Sequence, residues 1–321
     1  MTKNPDSISW AMLLHLGMNM WSDKRAADYV RCDEKLWKSV TERFAGKGGN
    51  MIVIDIGEAL VYPSHPELAV RGSWSPEKLA GEVKRLKSMG VEAIPKLNFS
   101  ACHDLWLKDY SKMRATAEYY RVVEDVIRDV SEIFGKPRYF HLGWDEEKAK
   151  TQRSYDYMAM RQGELWWHDM LFTVAMAEKY GARGWIWSDK EWLSKDEFML
   201  KCPRSVLQSH WYYSVGFGPK WSKRDDKKMR EAPWAEPHTL CVFEELEKAG
   251  FDQMPCGSNI YHRDNFLNVV RHCRDLIAPE RLKGFFIAPW GEMAAGKYYE
   301  RFLQAADLIA EAREIYAGRM K

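Results

Sequence analysis

The sequence predicts one (β/α)8 barrel, the TIM-barrel form of the α/β fold class, as a single catalytic domain over residues 1–321. Three observations predict it. Eight short apolar runs alternate with amphipathic segments of helix length along the whole chain. The runs are almost continuously apolar, as expected of strands that are covered on both faces. Acidic, histidine and aromatic residues follow the runs, and barrels carry their chemistry at the C-terminal ends of their strands.

The eight apolar runs are predicted as the strands of the barrel. Each comes before a segment of helical pattern, so the chain repeats a strand-then-helix unit. No linker, low-complexity segment or short repeat interrupts this order. The predicted strands are WAMLLHLGMNMW (10–21), NMIVIDIG (50–57), VEAIPKLNF (91–99), RYFHLGW (138–144), RGWIWSD (183–189), SVLQSHWYY (205–213), PCGSNIY (255–261) and LKGFFIAPW (282–290).

Helix signals separate the predicted strands. The segment 33–48 ends in a glycine stop, and the segment 75–90 has Ser75 as a cap, Pro76 at the first helical position and a glycine stop. A long amphipathic pattern follows over 112–135. Further helices are predicted over 161–181, near 195–202, and over 234–250, 262–279 and 296–317.

The charge balance gives no field that would attract nucleic acid or an anionic membrane. Forty-eight Lys and Arg residues stand against 46 Asp and Glu residues, for a formal net charge of +2. The basic segment 220–230 also contains acids and has one Trp, so a solvated loop is expected there and not a nucleic-acid groove.

The first residues of the sequence do not determine the cellular compartment of the protein. MTKNPDSISW lacks the basic and apolar regions of a secretory leader, which favours the cytoplasm for the sequence as given. A periplasmic or secreted protein would need a leader that this sequence does not include. No apolar run approaches the ~20 residues needed to span a bilayer.

No cofactor and no metal are expected. The six cysteines are widely spread without a C-x-x-C pair, and no H-E-x-x-H occurs. The segment GFGPKW (216–221) has only the first two glycines of a dinucleotide fingerprint, and no phosphate-binding P-loop is present. An open doubly wound sheet would show a similar alternation, but it often carries these fingerprints, so the closed barrel is favoured.

The aromatic content indicates a carbohydrate substrate. The chain has 15 Trp, 15 Tyr and 13 Phe, and indole faces pack well on the C–H faces of sugars. Trp187, Trp211 and Trp290 follow predicted strands and are expected to wall a sugar pocket. The remaining aromatics fill space between barrel and helices, as expected of Trp37, Trp166 and Trp167 in helical segments.

The fourth predicted strand runs into three consecutive acids in YFHLGWDEEK (139–148). Acids after a strand often only complement the start of a helix. Here Asp145 and Glu146 stand at a rim where the chain turns, so both can reach one substrate group, and different surroundings would give them different pKa values. Catalysis is therefore favoured for this pair, whereas Glu147 is expected to cap a helix or to pair with Lys148.

The run His141-Leu142-Gly143-Trp144-Asp145-Glu146 resembles the H-x-G-G-D-E motif of glycoside hydrolase family 20, the β-N-acetylhexosaminidases. In that family the 2-acetamido oxygen of the substrate is the nucleophile. The resemblance implies that Asp145 orients the acetamido group and that Glu146 is the general acid/base. It implies substrate contacts for His141, and Trp144 stands beside the acids where it would change the choice of sugar.

Other segments resemble the same family. IPKLNFSACH (94–103) is similar to its P-E-x-D-x-P-G-H segment, which implies that His103 is the histidine linked to the acids. The ends of the later strands are also similar to the family. This resemblance implies that Trp187, Trp211 and Trp290 wall the sugar pocket, that Tyr261 contacts the acetamido group of the substrate and that Glu292 binds sugar hydroxyls.

Several positions depart from the family pattern. Trp144 replaces a glycine, and Lys96 and Asn98 stand where the family has Glu and Asp. HLGMNMW, after the first strand, contains no arginine to bind outer sugar hydroxyls, and Arg25 lies further along. No segment corresponds to the separate N-terminal domain of the family. These departures indicate a distant relative with an altered sugar preference.

Two other functions are consistent with the sequence. A glycosidase of different sugar specificity would use a second protein carboxylate, from Glu58, Asp189 or Glu292, as nucleophile or base. A barrel that binds carbohydrate without catalysis is the other alternative. All three functions have a glycan as the partner, and none specifies the oligomeric state.

Overall fold

The structure is a computed structural model. It describes residues 3–17, 28–152, 155, 157–231, 237–294, 296 and 298–320. Four predictions fall partly or wholly outside the described residues. They are the last part of the first predicted strand (18–21), Arg25, the start of the helix predicted over 234–250, and residue 297 in the helix predicted over 296–317.

Eight parallel strands form a nearly closed barrel, which confirms the predicted fold. Their order in the sheet is β6-β5-β4-β3-β2-β1-β8-β7. Isolated parallel bridges from Gln208 to Gln253 and from Trp211 to Cys256 join the two outer strands. The strands are β1 (Ser9–His15), β2 (Met51–Asp55), β3 (Glu92–Lys96), β4 (Tyr139–His141), β5 (Arg183–Trp187), β6 (Leu207–Ser209), β7 (Cys256–Gly257) and β8 (Gly284–Ile287).

Helices lie between consecutive strands, and the first of them begin where the sequence predicts. The side chain of Asp33 accepts hydrogen bonds from the Lys35 and Leu36 amides, and Ser75 accepts one from Lys78. The α-helices of the described residues are α1 (Glu34–Gly46), α2 (Pro76–Ser88), α3 (Ala117–Ile133), α4 (Ala149–Gln152), α5 (Glu164–Lys179), α6 (Lys190–Leu193), α7 (Lys195–Lys201), α8 (Asp226–Glu231), α9 (Val242–Lys248), α10 (Asn265–Leu276) and α11 (Tyr299–Ala317).

Some elements are shorter than predicted. Only Cys256–Gly257 of the seventh predicted strand is paired with β8. The basic segment predicted as a loop contains the start of α8 at Asp226. Among the described residues, no helix is long and apolar enough to cross a membrane.

The strands form the centre of the core. The side chains of β1 are buried along its whole length, because a strand of a parallel barrel is covered on both of its faces. Trp37, Trp166 and Trp167 are buried on α1 and α5, which confirms that they pack against the barrel. Trp37 meets Trp74 edge to face with 5.6 Å between ring centroids.

The last residues of four adjacent strands share one register. His15 of β1 is the partner of Asp55 of β2, Asp55 is the partner of Lys96 of β3, and Lys96 is the partner of His141 of β4. Paired residues of parallel strands point to the same side of a sheet. We call these four residues the terminal row.

Candidate active site

A cavity opens at the C-terminal ends of the strands. Its volume is about 130 Å³, room for roughly ten water molecules at about 10–15 Å³ each. The residues that line it include His15, Asp55, Glu58, Lys96, Asn98, His103, Asp145, Glu146, Trp187, Trp211, Tyr213, Tyr261 and Trp290. The predicted acid pair and three predicted tryptophans therefore share one cavity.

The turn after β4 has an unusual backbone. Gly143, Trp144 and Glu146 have positive φ angles of 76°, 71° and 56°. A Cβ atom on Gly143 would lie 2.0 Å from Oδ1 of Asn98, so only glycine fits at this position. Asn98 accepts hydrogen bonds from the amides of Ser100 and Trp144 at 3.1 and 3.3 Å. The turn is thus held in a conformation that aims two consecutive carboxylates at the cavity.

His103 connects the two carboxylates. Its Nε2 atom lies 3.2 Å from Oδ2 of Asp145 and 3.2 Å from Oε2 of Glu146. Burial would lower the pKa of His103, but the charge and hydrogen bonds of Asp145 and Glu146 outweigh it and raise the pKa to about 10. Burial would raise the pKa of Asp145, whereas His103, Lys96 and the amide of Asn98, 2.7 Å away, hold it well below its usual range. Asp145 is therefore ionised.

The ion pair with His103 makes stability depend on pH. The raised pKa of His103 means that the folded state binds the proton more tightly than the unfolded state. This stabilisation is complete below the ordinary value of 6.5 and is lost as the pH rises to about 10. We expect the free energy of unfolding in urea to fall by on the order of 1–3 kcal/mol across that range. The fall should be smaller in His103→Asn, and equal pH slopes for the two proteins would contradict the ion pair.

Asp189 supports the acid pair from behind. Its Oδ2 atom accepts a hydrogen bond from the amide of Glu146 at 2.8 Å, and its Oδ1 atom accepts one from Nε1 of Trp211 at 3.4 Å. Burial and the charge of Asp145 raise the pKa of Asp189 to about 7. Asp189 therefore holds the strained backbone of Glu146 and one wall of the cavity.

The aromatic walls are arranged as a contiguous group. The rings of Trp187 and Trp290 have centroids 6.0 Å apart, and those of Trp211 and Tyr213 are 5.2 Å apart. Tyr213 was not among the predicted residues, although it follows the sixth predicted strand as Trp211 does. Tyr261 lies at the mouth, where 64% of its surface is exposed.

Three residues predicted to contact substrate do not line the cavity. His141 is fully buried, accepts the Gly143 amide on Nδ1 at 3.1 Å, and packs on Trp185 and Trp187. Glu292 lies 3.2 Å from Nη1 of Arg31. The Trp144 side chain points outward, because its positive φ directs it toward α5. None of the three side chains lines the cavity, and contact of each with a substrate stays a prediction.

Trp144 and Glu147 belong to a buried network behind the acid pair. Arg161 lies over the Trp144 ring at 4.8 Å, and its guanidinium pairs with Glu147 at 3.1 Å and with Asp169 at 2.5 Å. Nε1 of Trp144 also donates to Thr173 at 2.9 Å. The predicted pairing of Glu147 with Lys148 is therefore wrong, since the buried Arg161 is its partner.

The cavity has a polar floor that was not predicted from the sequence. His15, Asp55 and Lys96, from the terminal row, line it together with Asn98. Asp55 accepts from Nζ of Lys96 at 2.6 Å, and Nδ1 of His15 lies 3.2 Å from the same oxygen. The signal was a charged residue at the end of an otherwise apolar strand, in both NMIVIDIG and VEAIPKLNF. Glu58, one of the alternative carboxylates, also lines the cavity.

The acid pair and His103 also have the residue types of a metal site. One ligand atom from each lies within 4.8 Å of the others. The same three groups lie within hydrogen-bond reach, with Nε2 of His103 3.2 Å from each carboxylate, so the arrangement can also hold and move a proton.

Comparison with known proteins gives a likeness at the level of the fold. No protein-family model matches the chain, and no curated protein matches it. The β-N-acetylhexosaminidase from Bacteroides fragilis NCTC 9343 superposes with a TM-score of 0.60 at 13% identity, over 94% of this chain and 65% of that chain. Dispersin B superposes with a TM-score of 0.59 at 15% identity, over 95% and 98%.

A third similar structure has a sugar bound. The family 20 exo-β-N-acetylglucosaminidase from Vibrio harveyi, in complex with N-acetylglucosamine, gives a TM-score of 0.59 at 12% identity over 93% of this chain. This chain spans about half of that protein, 53% of its length. The barrel of this chain is thus similar in fold, along nearly its whole length, to structures of β-N-acetylhexosaminidases of glycoside hydrolase family 20.

Proposed function

We propose that the protein is a retaining exo-glycosidase of the β-N-acetylhexosaminidase type, with Glu146 as general acid/base and Asp145 as the residue that orients the 2-acetamido group. One observation carries the proposal. His103 lies 3.2 Å from both carboxylates in a cavity of about 130 Å³ that is walled by tryptophans. The similar barrels and the H-x-G-x-D-E residues support the same function.

The first step would form an oxazolinium ion from the substrate itself. The acetamido oxygen attacks C1 while the bond from C1 to the leaving oxygen breaks, and Glu146 gives its proton to that oxygen. Ionised Asp145 accepts a hydrogen bond from the acetamido N–H and stabilises the positive charge that develops there. His103 keeps Asp145 ionised, as its role beside the acetamido N–H requires.

The second step would return the acid pair to its starting state. A water molecule attacks C1 from the face that the aglycone has left, Glu146 takes a proton from it, and the bond from C1 to the acetamido oxygen breaks. Two inversions give net retention at C1.

Participation of the acetamido group is tested with a pair of substrates that differ only at C2. We expect measurable hydrolysis of 4-nitrophenyl N-acetyl-β-glucosaminide or its galacto epimer. The corresponding 2-hydroxy glycosides should be poor substrates, because they lack the internal nucleophile. A thiazoline analogue of the oxazolinium ion should inhibit competitively. Equal rates on the 2-hydroxy and 2-acetamido substrates would contradict the proposal.

A protein nucleophile is the second candidate mechanism, and one observation favours it. Glu58 is buried and lines the cavity, whereas Glu292 does not line it and Asp189 is engaged by the Glu146 amide and Trp211. A covalent intermediate would be trapped by a 2-fluoro glycoside and detected on Glu58 by mass spectrometry. Binding of the sugars without turnover of any substrate would instead indicate a carbohydrate-binding barrel.

A further inference from the structure

The peptide group between the two acids is held at both of its polar atoms by side chains from outside the turn. Its carbonyl, on Asp145, accepts a hydrogen bond from the hydroxyl of Ser100. Its N–H, on Glu146, donates to Oδ2 of Asp189 at 2.8 Å. Both side chains are buried, since Ser100 is 0% exposed and Asp189 is 3% exposed. Neither contact belongs to a strand ladder or a helix, because this peptide lies between β4 and α4.

The two contacts come from the two neighbours of β4 in the barrel. β4 lies between β3 and β5 in the sheet, and Ser100 follows β3 whereas Asp189 follows β5. The C=O and N–H bonds of a trans peptide point in opposite directions. Ser100 and Asp189 therefore hold the peptide from opposite sides. We call these two residues the peptide clamp.

The hydroxyl hydrogen of Ser100 is directed at the turn. The amide of Cys102 donates to Oγ of Ser100 at 3.3 Å, so the oxygen accepts there and its own hydrogen is available for the Asp145 carbonyl. Among the described residues, no backbone amide donates to this carbonyl. Removal of the hydroxyl would therefore leave a buried carbonyl without its hydrogen-bond donor, which is costly.

The backbone of Glu146 has a conformation that needs support. Its φ angle is 56°, in the left-handed region that residues with a side chain avoid. A flip of the preceding peptide group would change φ by about 180° and return Glu146 to the extended region. The flip would also turn the C=O and the N–H away from Ser100 and Asp189. The two hydrogen bonds of the clamp thus oppose a relaxation that the backbone favours.

The orientation of this peptide decides how the two carboxylates lie relative to each other. A flip rotates ψ of Asp145 and φ of Glu146 together, and the side chains turn with the backbone. Nε2 of His103 lies 3.2 Å from an oxygen of each carboxylate, so it contacts both only while they keep this relation. A displacement of about 1 Å at a catalytic group can cost roughly 10²-fold in rate. The clamp therefore acts on catalysis through the acids and not by contact with substrate.

We propose that Ser100 is a positioning residue for the acid pair and that, together with Asp189, it fixes the orientation of the peptide between Asp145 and Glu146. This inference rests on the proposed function, because it takes Glu146 as the proton donor. Ser100 stands where the similar P-E-x-D-x-P-G-H segment has its second proline, and proline has no side-chain donor. That motif therefore does not supply the hydroxyl of the clamp.

The substitution Ser100→Ala removes the donor and leaves the rest of the side chain in place. We expect kcat on a phenyl N-acetyl-β-hexosaminide to fall about 10- to 100-fold, the range for a lost buried hydrogen bond, with KM nearly unchanged. The fall should be smaller on a dinitrophenyl glycoside, because its leaving oxygen needs less help from an acid. Ser100→Thr restores a hydroxyl and should keep more activity than Ser100→Ala.

The substitution Ser111→Ala is the matched control. Ser111 is also buried in the segment after β3, and its hydroxyl donates to the carbonyl of Lys108 at 2.7 Å. This variant loses the same kind of hydrogen bond away from the turn, so its kcat should be that of wild type. The thermal midpoint of each variant is recorded. Equal falls in kcat for Ser100→Ala and Ser111→Ala, or a fall that is the same for both leaving groups, would contradict a positioning role.

Hydrogen exchange of the Glu146 amide tests the clamp without any substrate. It is followed by NMR on protein labelled with 15N-glutamate, in which the Glu146 signal is the one missing from Glu146→Gln. In Ser100→Ala we expect this amide to exchange about 10- to 100-fold faster than in wild type, because a flipped peptide loses the hydrogen bond to Asp189. The exchange rate in Ser111→Ala should be unchanged.

The two measurements distinguish the inference from the proposed function. If wild type hydrolysed no N-acetylhexosaminide but Ser100→Ala accelerated exchange of the Glu146 amide, the proposed reaction would be wrong and the clamp would stand. If wild type were active and Ser100→Ala changed neither kcat nor the exchange rate, the inference would be wrong and the proposed function would stand. Faster exchange with an unchanged kcat in an active enzyme would also overturn the inference, because the peptide orientation would not matter to catalysis.

Discussion

Replacing Glu146 with Gln is expected to lower kcat by about 10²- to 10⁴-fold on aryl N-acetylhexosaminides, because the amide cannot supply the proton that the leaving oxygen needs. Glutamine keeps the size of the side chain, and the backbone amide of residue 146 would still donate to Asp189. The fold should therefore be unchanged. The measurement is kcat and KM for a series of aryl leaving groups.

The leaving-group series identifies the role of Glu146. A general acid matters most when the departing oxygen is basic, so the loss should be large for a phenyl glycoside and small for a dinitrophenyl glycoside. Glu280→Gln is the matched control. Glu280 is 69% exposed and lies just before β8, at the end of the barrel opposite the cavity. A uniform loss across the series would indicate that the substitution disturbs binding or folding, and an unchanged kcat would remove Glu146 from the mechanism.

Replacing Arg161 with Met is expected to destabilise the protein by about 3–5 kcal/mol, the usual cost of removing one partner from a buried ion pair. Arg161 is 1% exposed and pairs with Glu147 and Asp169, which are 3% and 1% exposed. Methionine retains part of the packing on Trp144 but leaves both carboxylates without their cation. The free energy of unfolding is measured in urea at neutral pH.

An exposed arginine provides the comparison for this substitution. Arg121 is 65% exposed and pairs with Glu118 on the surface of α3, so Arg121→Met should change the free energy of unfolding by less than about 0.5 kcal/mol. A similar small change for Arg161→Met would contradict the buried network. Because the network supports the turn after β4, the Arg161 variant should also lose activity at temperatures where it is still folded.

The fold was predictable because local patterns agree with one another along the chain. The buried strand β1 lies in an apolar run of the sequence, and Ser75 and Pro76 are the residue types expected at the start of a helix, here α2. The end of the seventh strand was not predictable. Whether residues after Gly257 pair with a neighbour depends on where β8 ends, which is a contact between distant parts of the chain.

The part of the site that lies within one short sequence motif was predictable. Asp145 and Glu146 are neighbours in sequence, and both line the cavity. The pair of Lys96 with Asp55 was missed because it joins two strands that are 41 residues apart, and each residue alone looks like an ordinary strand end. Trp144 is next to Asp145 in the sequence and was therefore predicted to lie beside the acids, but its side chain is directed toward α5.

The direction of the Trp144 side chain could not be predicted from the sequence. A positive φ costs a residue with a side chain about 1–2 kcal/mol, and the family motif has glycine at this position. Here the indole is buried against Trp166, with ring centroids 5.4 Å apart, and lies under Arg161. This packing offsets the strain. Trp144 therefore stabilises the turn from outside the cavity.

The stereochemistry of hydrolysis tests the central claim most directly. Proton NMR of the first product formed from an aryl N-acetyl-β-hexosaminide reports whether C1 keeps its configuration before mutarotation. Two inversions, first by the acetamido oxygen and then by water, predict that the β-anomer of the free sugar appears first. First appearance of the α-anomer would show a single displacement by water and would contradict substrate-assisted catalysis by Asp145 and Glu146.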